Sequence, residues 1–183
     1  MKPLSKLFYF GMILGGFLIS LPLVLILLAI GAEGRGRDAE IVPFLIPIAM
    51  LPFIVMTAIA IGMLVYKMWS VIQVGGPAPR TTPGLAVGLL FVPCFNYYWV
   101  FQAYWGWTKD FNAYTATTNT PAPRMPEGLA LTICIFLVLS IIPIVGACLG
   151  LVNMVLLLMF VNSAINGVNA VIAARQGGMA PAM

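Results

Sequence analysis

The sequence predicts an all-α fold, a polytopic bundle of transmembrane helices with about five spans and four as the alternative. Three observations predict it. Hydrophobic residues fill 62% of the 183 positions and charged residues only 8%, with a mean hydropathy of +1.05, whereas a soluble domain is about a quarter charged. Several apolar runs reach the roughly 20 residues that cross a hydrocarbon core about 30 Å thick. Polar or Gly/Pro-rich breakers that stop a helix separate them. The runs occupy most of the chain, so residues 1–183 read as a single integral-membrane domain.

Lys2 and Lys6 precede the first span, Leu7 to Ile30. Ala29 and Gly31 could close a signal peptide, but the run is long for one and is expected to be retained. Gly11 and Gly15, beside Gly16, form a GxxxG face open to a second helix. Gly31 to Glu40 is an aqueous loop with five charges. The next run, Ile41 to Val74, holds Pro43, Pro47 and Pro52 early; since Pro removes a helical hydrogen bond, the regular helix is expected to begin near Pro47 or Pro52. It ends at an interfacial anchor, Tyr66, Lys67 and Trp69.

After the breaker Gly75 to Gly84, a third span is expected from about Gly84 to Trp107, with Gly84 and Gly88 at helix-contact spacing. Pro93 stands near its middle and frees a carbonyl one turn back, for which Asn96 is the candidate partner. If this region makes only a re-entrant half helix, the spans number four. Lys109 to Glu127 is a second aqueous loop with three closely spaced prolines. Leu129 to Ala174 is too long for one crossing and must fold back, with Pro143, Gly146 and Gly150 marking the turn. The spans are then about Leu129 to Ile142 and Leu149 to Ala173. With the N terminus inside, five spans put Lys2, Lys6, Lys67 and Arg80 on one side and Arg35, Arg37, Lys109, Arg124 and Arg175 on the other. That division decides nothing about sidedness; only Lys2 and Lys6, immediately flanking the first span, favour an N terminus inside.

The residue inventory excludes several chemistries. There is no histidine, hence no ordinary proton shuttle and no imidazole ligand for a metal or pigment. Glu33, Asp38, Glu40, Asp110 and Glu127 all fall in expected loops, whereas an ion-coupled pump keeps an ionisable group inside its spans. Cys94, Cys134 and Cys148 have no CxxC spacing and read as small hydrophobes. The scattered basic residues suit anionic lipid headgroups better than nucleic acid. No catalytic residue, metal or obligate cofactor is expected, and no enzyme.

Two groups of polar or aromatic residues remain. Asn162, Asn166 and Asn169 lie at i, i+4 and i+7 on the last helix and should face protein or water, either across a helix contact or where the helix emerges. Pro93 to Tyr114 contains ten aromatic residues. Tyr97, Phe101, Tyr104, Thr108 and Phe111 share one helical face there, opposite Gln102, Gly106, Lys109 and Ala113. Pro93, Asn96, Tyr98, Trp99, Tyr104, Trp105 and Trp107 are candidates for the lipid–water interface; the functional version is a groove for lipid, carotenoid or quinone.

The run from Thr82 to Asn112 resembles a signature of uncharacterised small multi-span membrane proteins of bacteria, with Pro, Phe, Asn and Tyr-Trp ahead of an Asp-x-Asn motif. Its matching residues are Pro83, Gly84, Ala86, Gly88, Phe91, Pro93, Phe95, Asn96, Tyr98, Trp99, Gly106, Lys109, Asp110 and Asn112. The resemblance implies a bacterial cytoplasmic-membrane protein and no particular activity. Together these features predict a non-catalytic accessory or structural subunit of a larger membrane complex, whose partners are the bilayer and other membrane proteins or itself. The alternative is a small channel or transporter for an uncharged solute or lipid.

Overall fold

The computed structural model describes residues 2–34 and 37–177, and among these every regular element is helical. The chain divides into two compact units, one from Leu7 to Gly62 and one joining the segment up to Lys6 with the chain from Met63 onward. Among the described residues, three stretches are long and apolar enough to cross a membrane, Lys6–Glu33, Glu40–Val71 and Cys148–Gly177, beside a shorter apolar helix, Glu127–Leu139.

The first unit is built from α1 (Lys6–Glu33), α2 (Arg37–Ala49) and the first half of α3 (Leu51–Val71). The helix begins earlier than its prolines predict, because Pro43 and Pro47 are both accommodated inside α2. In apolar surroundings an open backbone would lose more hydrogen bonds than each proline removes. The interruption falls instead at Met50, whose N–H still reaches Ile46 O at 3.0 Å. Ser20 of α1 accepts a hydrogen bond from the Phe53 N–H at 3.1 Å, capping the restarted helix from a neighbouring one. The close approach occurs at Gly16, where a Cβ would lie 3.0 Å from Phe53 Cα. Gly11 meets nothing within 4 Å and Gly15 only the end of Met56. Of the three glycines, Gly16 shares its helical face with Ser20, one turn on.

The second unit contains α4 (Pro83–Gly88), a 3₁₀ turn (Leu89–Phe91), α5 (Asn96–Val100), a π-helical segment (Phe101–Gly106), α6 (Trp107–Thr117), α7 (Glu127–Leu139) and α8 (Pro143–Gly177). The third expected span is therefore not one helix. The carbonyl freed by Pro93, that of Leu89, accepts the Val92 N–H at 3.4 Å rather than the Asn96 side chain. Cys94 sits at φ 63° while the Phe95 N–H bonds to Pro93 O at 2.7 Å, a tight three-residue turn in a strained conformation for a non-glycine residue.

Beyond this turn the helix resumes and brings Asp110 back to Arg80, with Nη2 and Oδ1 2.6 Å apart. Residues 83–117 thus leave one end of the unit and return to it, the arrangement of the four-span alternative. The five-span division of charges, with Arg80 and Lys109 on opposite sides, is corrected by this pair. The descending limb of α4 and the 3₁₀ turn rises about 15 Å, roughly half the hydrocarbon thickness.

The fold-back before α8 comes at Ser140 to Ile142, slightly ahead of the predicted turn. Pro143 is the first residue of α8, the position where its missing N–H costs nothing. Gly146 abuts the turn, its Cβ position lying 2.7 Å from Ser140 O, and α8 runs unbroken through Gly150. Trp69, Trp107, Phe111 and Phe160 are fully buried, with Trp107 and Phe111 ring centroids 4.9 Å apart.

Candidate functional site

The densest chemistry in the second unit is a polar collar at the end where α3 and α8 finish and α4 begins. Its centre is the Arg80 guanidinium. Nε donates to both Asp110 oxygens at 3.0 Å and Nη2 to Oδ1, a forked pairing that suits the planar guanidinium. The Arg80 backbone N–H donates to Oδ2 at 3.2 Å. Gly106 makes room for this arrangement, since a Cβ there would come within 3.3 Å of Arg80 Nη1. Gln102 Oε1 faces the same nitrogen at 3.5 Å, and Gln102 Nε2 donates to the Tyr98 hydroxyl at 3.2 Å. On the next turn Lys109 Nζ lies 3.4 Å from the centre of the Trp105 ring, a cation–π contact.

Three further clasps close the collar. Asn112 pairs with the Met125 backbone as a strand would, accepting its N–H at 2.8 Å and donating to its carbonyl at 3.1 Å; Nδ2 also reaches Glu127 Oε1 at 2.9 Å. Asn169 does the same for Leu4, accepting at 2.7 Å and donating at 2.9 Å. Arg175 Nη2 donates to the carbonyls of Val71 and Val74 and to the Tyr114 hydroxyl, at 2.7, 2.8 and 2.8 Å. It caps α3 with a cation where the helix dipole is negative. The loop after α3 needs Gly75 for its φ of +91° and Gly76 because a Cβ would collide with the Tyr114 ring.

Beneath the collar, side chains supply donors to backbone carbonyls around the π segment. Trp69 Nε1 bonds to Ala103 O at 3.2 Å, Trp107 Nε1 to Met68 O at 2.7 Å and Cys134 Sγ to Val100 O at 3.4 Å. The π turn also adds a residue to the helical repeat and so changes which ring faces inward. Tyr104, Thr108 and Phe111 are buried, but Tyr97 is exposed and Gly106, expected on the outer face, is buried.

The candidates named from sequence fall in several places. Trp107 is 0% exposed and Tyr104 5%, so these two belong to the core and not to the lipid interface; Trp69, expected as an interfacial anchor, is buried with them. Tyr98 and Pro93 are exposed, Trp105 is half-buried, and half-buried Trp99 donates to Ala86 O at 3.1 Å. Asn96 Oδ1 is buried without a hydrogen-bond partner. Along α8, Asn169 is engaged, Asn162 is half-buried and Asn166 is exposed. Gly84 and Gly88 meet nothing within 4 Å.

Sequence reasoning missed the roles of Arg80, Asp110, Arg175, Gly16 and Gly76. The available signal was Asp110 itself, the single acid in an aromatic stretch. Among the described residues no cluster of three His, Cys, Asp or Glu side chains could hold a metal ion. The arrangement can orient, anchor and seal backbone ends; it offers no nucleophile paired with a base. No protein-family model, curated protein or solved structure compared with this chain matches it.

Proposed function

We propose that the chain is an accessory subunit of a larger complex in the bacterial cytoplasmic membrane and that it acts by contact. The supporting observation is the exposed face of α8. Asn166 projects from a helix long and apolar enough to cross a membrane, and an amide facing hydrocarbon without a partner costs on the order of 4–8 kcal/mol. A helix from another protein, or from a second copy, would supply the missing hydrogen bonds. The Gly84 and Gly88 side of α4, open in the single chain, offers such a helix a second close approach.

Native mass spectrometry of gently solubilised membranes tests this. The chain is expected in a stable assembly that dissociates on Asn166→Leu while the variant itself remains folded. Recovery of the wild-type chain always as a monomer contradicts the proposal.

A further inference from the structure

We infer that the polar collar is the cytoplasmic face of the protein, lying against anionic headgroups, and that residues 83–117 enter and leave the bilayer through it. The inference rests on membrane integration and not on a partner. Its premise is a chain of contacts within one unit. Asn169 holds Leu4; Arg175 holds Val71 and Val74; Arg80 holds Asp110; and Asn112 holds Met125 and Glu127. The N-terminal segment, residues 72–82, residues 118–126 and the C-terminal end of α8 therefore share one end.

That end gathers Lys2, Lys6, Lys67, Arg80, Lys109, Arg124 and Arg175, seven of the nine basic residues, with Asp110 and Glu127 as its acids. The other two, Arg35 and Arg37, follow α1 in the sequence, in the same stretch as Glu33, Asp38 and Glu40. A 28-residue helix separates them from Lys6. A division of four against five decides nothing, but seven against two decides orientation, because short basic loops stay on the cytoplasmic side. What changes the count is the turn at Pro93 to Phe95: it sends the chain back, so Lys109, Arg124 and Arg175 join Arg80 instead of opposing it. Both termini of the described chain then lie in the cytoplasm.

The test labels single thiols with a membrane-impermeant maleimide after Cys94, Cys134 and Cys148 are replaced by Ala. Ala78→Cys and Thr117→Cys are expected to react in inside-out vesicles and to lose that reaction in intact cells, while Glu33→Cys behaves in the opposite way. Labelling of Ala78→Cys and Thr117→Cys from opposite sides would overturn the hairpin; all three sites inverted would overturn the sidedness. In the unsubstituted chain, a C-terminal fluorescent-protein fusion should fluoresce and an alkaline phosphatase fusion should be inactive, and an active phosphatase contradicts the proposal. Release of the chain by carbonate washing would remove the membrane premise itself.

Discussion

Two neighbouring kinds of glycine behave oppositely. Gly76 faces the Tyr114 ring with no space for a Cβ, whereas Gly84 faces nothing. Gly76→Ala is therefore expected to lower stability by about 1–3 kcal/mol, the usual range for overpacking. Gly84→Ala, inside a helix, should be neutral or stabilise by up to roughly 1 kcal/mol. Thermal unfolding of the two variants in one detergent compares them, and equal midpoints would contradict this assignment. Trp69→Phe keeps the buried ring but leaves Ala103 O without its indole donor, an expected loss of about 1–3 kcal/mol. An unchanged midpoint would mean that another donor takes its place. Little of this was legible in the sequence: the tryptophan indoles were read as interfacial because aromatic belts are general, and the backbone carbonyls that bind them are visible only once the helices are placed.

At the scale of elements, the sequence marked α1 and the end of α3 closely because long apolar runs between breakers admit one interpretation. It left residues 83–107 between a third span and a re-entrant half helix, because a proline in an apolar run fits both a kinked span and a reversal. What decides for reversal is Arg80 pairing with Asp110, thirty residues apart, a contact that no local pattern encodes. The pair is partly exposed, with side chains 43% and 17% accessible, so its coupling should be modest, about 1 kcal/mol or less. A double-mutant cycle of Arg80→Gln and Asp110→Asn measures it; strictly additive effects would show that the pair does not hold the hairpin closed. The π segment makes a sharper prediction. Deleting Gln102 should restore α-helical spacing and turn the residues before it by about 100° relative to α6, breaking the Trp99 bond to Ala86 or the Trp107 bond to Met68. Tryptophan fluorescence should shift and the unfolding midpoint fall; a variant with wild-type spectra would contradict the role assigned to the segment.

Across the whole molecule, the all-helical membrane character follows from composition, because 8% charged residues cannot clothe a soluble surface. The gathering of basic residues at one end does not follow from composition, since it depends on how many times the chain crosses. One reversal, at Pro93 to Phe95, converts an undecided charge balance into a strong one and places the Asn clasps, the Arg175 cap and the Arg80 pair in a single collar. The most direct measurement of that claim is the distance between spin labels at Ala78→Cys and Thr117→Cys in lipid nanodiscs, by pulsed electron paramagnetic resonance. Labels on one face should lie well within the hydrocarbon thickness, in a single distribution centred below about 30 Å. A distribution centred beyond about 40 Å, the separation of headgroup regions on opposite faces, would show that residues 83–117 cross the membrane and would contradict the account.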